Sequence, residues 1–497
     1  MLIKNVEHEF IVPDSIEVRD YQINLAQQAK TENSLIVLPT GLGKTTIALH
    51  VIAHFLSKRK GGILFLAPTR VLANQHYEFL KNTVRLDDIT LITGEDLLAK
   101  RKKLWINSII CATPEIVRND IIRKIVDVSQ FSLVIFDEAH RAVGDYAYTT
   151  IAEQLNIDNT RILGMTATLP SEKEKAKEVC DNLHIKGIVE RSDSSPDVKP
   201  YIQNTITEWV KVDLPPEMKI IQRYIKLAQD QRYTELRRNG LRLSDNKSLS
   251  QLLNARQFVL KQNRRSAKPL FTAIRITYAL NIFEAHGITS FLKFCERTKI
   301  KKGAGIKELF ETDPNFTTAI NLAKDAQAKG IEHPKIIKLD EILRNVESKV
   351  LIFSSYRDSV NVIHKKLIDM NIHAEILIGK AGDTGLKQKK QVETVQKFRD
   401  GITKVLVTTR VGEEGLDISE VNLVIFYDNV PSSIRFIQRR GRTGRKESGR
   451  LVVLIAKDTI DEAYYWIGQR KIKSASNMAE KLSKHLEKTE RVIDDFF

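Results

Sequence analysis

Short apolar runs alternate with helical stretches along the first 200 residues of the chain. Continuous apolar strands separated by helices are typical of a parallel sheet covered by helices on both faces. The pattern therefore predicts a first α/β domain over residues 1–200, ending in a polar linker at residues 192–200. Its predicted strands are residues 35–38, 62–67, 108–111, 133–136 and 161–165, and residues 45–56 are a predicted helix.

The pattern changes between residues 201 and 335. Apolar side chains such as Met218, Ile221 and Ile225 recur there at intervals of three and four residues, as an amphipathic helix requires. Longer helices are predicted at residues 248–261, 267–285 and 288–296, without a clear strand. We therefore predict a mainly helical domain inserted between two α/β domains.

Apolar runs separated by helices return after the insertion and predict a second α/β domain over residues 336–475. Residues 359–370 are a predicted helix of this domain. The charged segment 476–497 is predicted to be a tail that begins a linker. The predicted strands of the second domain are residues 349–353, 404–408, 423–426 and 451–455.

Composition places the chain among globular proteins of two or three domains. With 497 residues it is too long for one ordinary core, and 42% of its residues are hydrophobic and 28% charged. No apolar run approaches the roughly 20 residues of a membrane span, and no signal peptide is recognisable. Because Cys111, Cys180 and Cys295 lack the spacing of a metal site or disulfide framework, we expect reduced thiols.

The positive charge is unevenly distributed. The net charge is +16, and residues 211–340 contain 25 Lys and Arg against 13 Asp and Glu, a surplus of 12. A basic surface attracts polyanions, of which nucleic acid is the commonest. The charge therefore suggests that the helical insertion binds nucleic acid, although a solvated charged surface is the alternative.

A glycine-rich segment after the first predicted strand has the form of a phosphate-binding loop. Glycines let backbone N–H groups approach phosphate oxygens, and the following helix directs its positive end at them. Lys44 can reach the β- and γ-phosphates of a nucleotide, and the Thr45 hydroxyl can ligate Mg²⁺. The predicted nucleotide-binding residues of this loop are Thr40, Gly41, Leu42, Gly43, Lys44, Thr45 and Thr46.

The sequence Asp-Glu-Ala-His at residues 137–140 directly follows a predicted buried strand. Ligands of open parallel sheets bind at this end of the strands. Asp137 is therefore a predicted Mg²⁺ ligand, and Glu138 is the predicted group that orients and deprotonates the attacking water. Together with the glycine-rich loop, these residues predict a site for ATP and Mg²⁺.

The series of motifs resembles that of the superfamily 2 helicases in both order and spacing. It includes residues 19–22, 67–70, 113–115 and 166–168 in the first half, and residues 354–357, 408–417 and 438–445 in the second. The resemblance implies two RecA-like parallel-sheet motor domains that close on ATP. It implies an adenine-reading role for Arg19 and Gln22 and a coupling role for Thr166 and Thr168.

The resemblance assigns the remaining site residues as well. Gln438, Arg442 and Arg445 would act in catalysis, the two arginines as fingers that stabilise transition-state charge, since Arg is permanently charged and planar. Gly415 and Asp417 would contact the nucleotide. The expected nucleic-acid contacts are Thr69, Arg70, Thr113, Ser354, Arg357, Thr408 and Arg410, together with Arg264 and Arg265 of the insertion.

Within the superfamily, the helical insertion, the Asp-Glu-Ala-His motif and the string at residues 438–445 resemble the archaeal Hef helicase-nuclease and the Fanconi anaemia group M translocase. In that group the insertion looks like a polymerase thumb. The implied function is an ATP-dependent helicase or translocase that remodels branched DNA in repair and replication restart. A nuclease domain is an expected continuation of the full-length protein, and Phe496 and Phe497 resemble the aromatic pair of a sliding-clamp-binding peptide.

Two other functions compete with this interpretation. An RNA-dependent ATPase stimulated by double-stranded RNA has compatible motor motifs, but the chain lacks a zinc-binding Cys cluster. A non-catalytic platform requires loss of an essential group, and Lys44, Asp137, Glu138, Arg442 and Arg445 are all present. The expected location is the cytoplasm, near the nucleoid, in a prokaryote and the nucleus in a eukaryote.

Overall fold

The structure is a computed structural model that describes residues 5–58, 61–202, 205–303, 305–344, 346–379, 388–412, 421–440 and 449–494. Two parallel sheets dominate it, and a group of helices projects from the second. The predicted α/β class is confirmed. No helix in these ranges is both long enough and apolar enough to cross a membrane.

The first domain is built on a seven-stranded parallel sheet with the order β3-β4-β2-β5-β6-β1-β7. Its helices are α1 (Asp20–Thr31), α2 (Lys44–Lys58), α3 (Arg70–Thr83), α4 (Leu98–Leu104), α5 (Pro114–Ile122), α6 (Ala147–Glu153) and α7 (Lys173–Asn182). Its strands are β1 (Ser34–Val37), β2 (Gly62–Leu66), β3 (Ile89–Ile92), β4 (Ile109–Ala112), β5 (Phe131–Asp137), β6 (Arg161–Thr166) and β7 (Gly187–Glu190).

Both faces of this sheet are buried, which explains the uninterrupted apolar runs. Along β5, Leu133 and Ile135 enter one hydrophobic cluster, while Val134 and Phe136 enter the cluster on the opposite face. Successive side chains of a strand point to opposite faces, so a strand covered on both sides has to be apolar at every position. The carboxyl ends of β1, β5 and β6 consequently form one buried edge of the sheet.

The second sheet has six parallel strands in the order β10-β11-β9-β12-β13-β8. Its helices are α12 (Pro334–Leu343), α13 (Arg357–Asp369), α14 (Gln388–Arg399), α15 (Ser433–Arg440) and α16 (Ile460–Asp494). Its strands are β8 (Thr205–Val212), β9 (Val350–Phe353), β10 (Ala374–Leu377), β11 (Val405–Thr408), β12 (Leu423–Phe426) and β13 (Gly449–Ala456).

The boundary predicted at residue 201 is corrected by β8. This strand pairs with β13 over its full length, from Thr205–Gly449 to Val212–Ala456, so the chain enters the second sheet before it enters the helical insertion. The alternating exposure of β8 hides it from a search for continuous apolar runs, since one side of the strand faces solvent. The helices of the insertion therefore start only at residue 216.

The insertion consists of α8 (Pro216–Arg238), α9 (Leu249–Gln262), α10 (Ala267–Lys299) and α11 (Pro314–Ala328). The predicted break between residues 285 and 288 is confirmed at Gly287, where the backbone of α10 leaves helical geometry with φ 83° and ψ −172°. Apolar side chains of α8, α10 and α11 form one core, which also includes Ala456 at the end of β13. The insertion is thus packed directly onto the second domain.

Helix α16 connects the second domain back to the first. The Ser474 hydroxyl donates to the Ser171 carbonyl at 3.2 Å, and Leu482 is buried in a core cluster of the first domain. The helix is continuous across residue 476, where the charged tail was predicted to begin. Cys111, Cys180 and Cys295 are buried free thiols.

Candidate functional site

The glycine-rich loop lies between β1 and the start of α2. Gly41 and Gly43 have φ values of 88° and 77°, a region that glycine enters without steric cost. A Cβ atom on Gly43 would lie 2.3 Å from Nε2 of Gln22. The Lys44 ammonium donates to the Leu38 carbonyl at 2.9 Å, so its side chain folds back over the loop. The phosphate oxygens of a bound nucleotide would lie against the same loop.

Helix α1 packs two side chains against this loop. The Tyr21 hydroxyl and Nε2 of Gln22 both donate to the Leu42 carbonyl, at 2.7 and 3.1 Å. Oε1 of Gln22 is buried and has no hydrogen-bond partner within the described part of the chain. A buried acceptor of this kind fits an amino group, such as that of adenine, because a buried polar atom needs a partner.

Arg19 has a different environment from that of Gln22. Its guanidinium lies 5.1 Å from the centre of the Tyr201 ring and forms an ion pair with Glu17 at 3.1 Å. The sequence motif gave no indication of Tyr201, which comes from the segment after β7. Arg19 and Tyr201 thus form a cation–π pair, and the Tyr21 ring also packs against Tyr201.

Asp137 and the glycine-rich loop lie at the same edge of the sheet. Val37 at the end of β1 pairs with Thr166, and Asp137 at the end of β5 pairs with Met165, so the three strand ends are in adjacent rows. Burial acts to raise the pKa of Asp137. The hydrogen bond and charge of His76 together with the charge of Lys44 outweigh this effect, and the pKa lies below its usual value.

His76 is a residue that sequence reasoning missed. It lies on α3, its Nε2 is 2.9 Å from Oδ2 of Asp137, and its ring stacks on Phe65 with centroids 4.3 Å apart. The only signal was its place six residues after a recognised motif, residues 67–70. An ionised Asp137 and the Thr45 hydroxyl are oxygen donors, a chemistry that suits Mg²⁺.

Glu138 is connected to the predicted coupling residues through His140. Glu138 has a left-handed backbone with φ 50°. Nδ1 of His140 lies 3.3 Å from Oε2 of Glu138 and 3.0 Å from the Thr166 hydroxyl. The Thr166 hydroxyl in turn donates to the Thr168 carbonyl at 2.9 Å. The structure thus places the predicted base and the predicted coupling segment in one chain of polar contacts.

Three predicted nucleic-acid contacts follow strands of the first sheet. The Thr69 hydroxyl accepts from the Leu72 N–H at 3.3 Å and so caps α3. Arg70 forms an ion pair with Glu95. Thr113 is half-buried at the start of α5 and makes no side-chain capping bond. Thr69 therefore has a structural role in this conformation, whatever it contacts when nucleic acid binds.

The corresponding residues of the second sheet differ in their accessibility. Ser354 and Thr408 are fully buried, and the Thr408 hydroxyl donates to the Leu377 carbonyl at 2.9 Å. In this conformation neither hydroxyl is open to a phosphate, which differs from the expected direct contact. Arg357 donates to the Gly379 carbonyl at 2.9 Å, and Arg410 is exposed.

Several predicted site residues lie outside the described residues. Gln438 lies on α15, but its side chain is outside the described residues. The other residues outside the described ranges are Gly415, Asp417, Arg442, Arg445, Phe496 and Phe497. The roles predicted for these seven residues stay predictions.

The outer part of the insertion is strongly basic. Residues 237–268, which we call the basic tip, contain nine Lys and Arg and a single acidic residue, Asp245. Arg264 and Arg265 are exposed in the turn between α9 and α10. The side chain of Phe258 on α9 is 50% exposed beside a cavity of about 510 Å³. A basic surface with an exposed aromatic ring suits nucleic acid, whose phosphates are charged and whose bases stack.

Comparisons with known proteins agree with this arrangement. The DEAD/DEAH box helicase family model matches residues 19–176, and the helicase conserved C-terminal domain model matches residues 334–447. The crystal structure of the Pyrococcus furiosus Hef helicase domain is similar with a TM-score of 0.66 and 36% identity, covering 90% of this chain and 97% of that one.

Curated relatives include longer proteins. A putative ATP-dependent RNA helicase of Methanocaldococcus jannaschii is 38% identical over 93% of this chain and 60% of its own length. The ATP-dependent DNA helicase MPH1 of Pyricularia oryzae is 34% identical over 90% and 44%. The mouse Fanconi anemia group M protein homolog is 32% identical over 92% and 25%. The chain thus spans between a quarter and about three fifths of these relatives.

Proposed function

The chain belongs to the DEAD/DEAH box helicases, close to Hef and Fanconi anaemia group M, and on this premise we propose that it is an ATP-driven DNA motor. Its proposed activity is a nucleic-acid-dependent ATPase that moves along or remodels branched DNA, such as stalled forks, junctions and flaps. The full-length protein is proposed to act in DNA repair and replication restart.

ATP hydrolysis is assigned to the edge of the first sheet. Lys44 would hold the β- and γ-phosphates, and Glu138 would orient and deprotonate the attacking water. Asp137 and Thr45 would hold Mg²⁺, which neutralises charge on the phosphates. Arg442 and Arg445 are the proposed arginine fingers from the second domain. The contact of His140 with both Glu138 and Thr166 supports a coupling of hydrolysis to movement.

The positive charge of the basic tip is the observation that supports its role as the DNA-binding surface. Its nine basic residues and one acidic residue account for a surplus of eight charges in 32 positions. Contacts to phosphates give grip without reading base sequence, as a motor that acts on any fork requires. Arg264 and Arg265 are proposed to contact the DNA directly.

Double-stranded RNA is the second candidate substrate. The name of the Methanocaldococcus jannaschii relative describes an RNA helicase, whereas the fungal relative is described as a DNA helicase. The phosphate contacts expected at the described part of the motor site do not distinguish the two polymers, because such contacts are common to both. We favour DNA because of the likeness to Hef and Fanconi anaemia group M.

A comparison of ATPase rates separates these candidates. Steady-state hydrolysis is measured without nucleic acid and with forked DNA, linear duplex DNA and double-stranded RNA. The proposal expects the largest stimulation with forked DNA. Lys44→Ala should abolish hydrolysis while DNA affinity without nucleotide stays within about twofold, since Lys44 acts on phosphates. Stimulation by double-stranded RNA alone would reject the DNA assignment.

The salt dependence of binding tests the basic tip. Each neutralised phosphate contributes a slope of about −0.9 to log K against log salt on duplex DNA. We expect the double variant Arg264→Ala/Arg265→Ala to make that slope shallower by about one to two. The matched control is Lys102→Ala/Lys103→Ala, an adjacent exposed pair on α4 of the first domain, which should leave the slope unchanged.

A further inference from the structure

The carboxylate of Asp428 joins three parts of the second half of the molecule. Asp428 follows β12 and is almost fully buried. It accepts from the Ser355 N–H at 2.5 Å and from the hydroxyls of Ser354 and Ser355 at 3.3 and 3.0 Å. These two serines belong to the motif that follows β9. A buried carboxylate with several donors is held in one orientation, since each lost contact leaves a charge unsatisfied.

Arg439 binds the same carboxylate from the helix of the last motif. Its guanidinium donates to the Asp428 carbonyl at 3.1 Å and lies 3.4 Å from Oδ1, and it faces the rings of Phe353 and Phe426 at 5.2 and 5.5 Å. The side chain is fully buried and cannot be a finger itself. It anchors α15, and the chain passes from α15 directly to Arg442 and Arg445.

The third contact comes from the helical insertion. Nε2 of His286 lies 3.3 Å from Oδ2 of Asp428, and both side chains are at most 3% exposed. The His286 ring packs edge-on against Tyr356 with centroids 4.9 Å apart. His286 is the residue before Gly287, where α10 breaks, so it sits at the base of the helix that runs to the basic tip.

A hydrogen bond fixes the same turn of α10. Oε2 of Glu284 accepts from the Ile460 N–H at 2.7 Å, at the first residue of α16. The base of the insertion therefore contacts Asp428 through His286 and is hydrogen-bonded through Glu284 to the helix that connects the two motor domains. A displacement of α10 by a bound ligand would act on these buried contacts first, because packed interiors transmit strain.

We propose that His286 is a positioning residue for ATP hydrolysis, acting through Asp428 and Arg439 on α15, the helix that precedes the predicted arginine fingers in the sequence. Nucleic acid held at the basic tip would thereby set the position of α15 and the rate of hydrolysis. The regulatory part of this proposal rests on the proposed function of the insertion in binding DNA. The positioning part rests on the contacts among His286, Asp428 and Arg439.

Three variants test the proposal. His286→Phe retains a ring against Tyr356 but cannot bond Asp428, whereas His286→Gln retains an N–H donor. Ser290→Ala is the matched control, because Ser290 also lies on α10, is 1% exposed and contacts the second domain through the Ser359 hydroxyl at 3.4 Å. Steady-state kcat and the KM for ATP are measured with and without forked DNA. DNA affinity without nucleotide and the thermal midpoint are measured alongside.

The expected result for His286→Phe is a loss of about tenfold in DNA-stimulated kcat, within the usual range of coupling between sites. The KM for ATP and the DNA affinity should change by less than about twofold, because His286 belongs to neither the nucleotide-binding loop nor the basic tip. His286→Gln should recover most of the loss, and Ser290→Ala should resemble the wild type. This separation of kcat from KM distinguishes positioning from general loss of structure.

Several outcomes would overturn the proposal. These are a stimulated kcat of His286→Phe within twofold of the wild type, an equal loss in Ser290→Ala, or no recovery in His286→Gln. A wild-type enzyme that DNA does not stimulate would reject the proposed function instead. Basal kcat would then decide the positioning role, with a tenfold loss in His286→Phe supporting it and an unchanged value refuting it.

Discussion

Nε2 of His76 lies 2.9 Å from Oδ2 of Asp137, and both side chains are less than 10% exposed. Nε2 of His76 thus contacts one carboxylate oxygen of Asp137, and the other oxygen would be available to Mg²⁺. The stacked contact with Phe65 fixes the plane of the imidazole. Removal of a group that hydrogen-bonds to a metal ligand and orients it usually changes metal affinity by 10- to 100-fold.

We therefore predict that His76→Phe raises the Mg²⁺ concentration for half-maximal ATPase activity by about tenfold. The variant keeps an aromatic ring against Phe65 and removes the hydrogen bond to Asp137. His76→Gln, which can still donate to Asp137, should show a smaller increase. The measurement is a Mg²⁺ titration of hydrolysis at saturating ATP. An unchanged Mg²⁺ requirement in His76→Phe would contradict the orienting role.

The buried acceptor of Gln22 leads to a prediction about nucleotide choice. Gln22→Ala removes Oε1, which has no partner within the described residues, and we expect the preference for ATP over GTP to fall about tenfold, as loss of one hydrogen bond implies. Tyr21→Phe is the control, because it also loses a bond to the Leu42 carbonyl but leaves Oε1 in place. The ratio of kcat/KM for the two nucleotides is the measurement. Equal ratios in Gln22→Ala and the wild type would exclude base recognition by Gln22.

Sequence patterns found the interior strands of both sheets and missed the edges. The strands that were not predicted are β3, β7, β8 and β10, and these are the terminal strands of the two sheets in the described structure. An interior parallel strand is covered on both faces and becomes apolar throughout. An edge strand is less completely covered, as in β8, where Ile206 and Trp209 are more than half exposed. Polar residues can then interrupt the apolar run.

The residues of the candidate site likewise fall into those that the sequence predicted and those that it did not. Motif spacing predicted Lys44, Asp137 and Glu138, because their proposed chemistry requires those residue types beside particular strand ends. It gave no indication of His76, His286 or Asp428, whose contacts join elements distant in sequence. His286 is 142 positions from Asp428, and a lone histidine in a helical pattern has no local feature that reveals its partner. Such pairs require the three-dimensional structure.

Two glycines with positive φ provide a test of packing at the base of the insertion. Gly287 has φ 83°, and a Cβ atom there would lie 2.8 Å from Cβ of His333, whereas Gly330 has φ 71° and an added Cβ meets nothing within 4 Å. Alanine is strained at a positive φ at either position, by about 1–3 kcal/mol. Only Gly287→Ala adds a steric clash with a buried side chain.

We predict that Gly287→Ala lowers the apparent free energy of unfolding by about 3 kcal/mol or more, from strain and overpacking together. Gly330→Ala should cost only about 1–2 kcal/mol. Urea denaturation followed by circular dichroism is the measurement, with both variants compared in one buffer. If the two variants lose equal stability, the contact between residue 287 and His333 is not tight in solution.

The ionisation of His333 makes the stability of the same region depend on pH. Nε2 of His333 lies 3.0 Å from the Glu284 carbonyl, and Nδ1 accepts from the Lys335 N–H at 3.2 Å. These partners require a neutral ring with its proton on Nε2. Burial, the charge of Lys335 and that of His286 lower the pKa of His333 to about 3, although the hydrogen bond to the Glu284 carbonyl opposes them.

A fall in pH lowers the stability of the folded chain through His333. The unfolded chain protonates His333 near pH 6.5, whereas the folded chain does so only near pH 3, so the contribution is complete above pH 6.5 and decreases as pH falls towards 3. At pH 5 the loss from this group is about 2 kcal/mol. His50 and His286, whose pKa values are lowered by burial to about 4, contribute in the same direction.

His333→Asn isolates the contribution of this one group, because Asn also caps helices well and does not titrate. We expect the variant to be less stable than the wild type at pH 7.5 and to lose less stability between pH 6.5 and 4.5. The difference in slope should approach one proton, or about 1.4 kcal/mol per pH unit. Parallel curves for the variant and the wild type would mean that His333 can take up a proton in the folded state. In that case its bonds to Glu284 and Lys335 could not both persist, since a protonated ring has no acceptor for the Lys335 N–H.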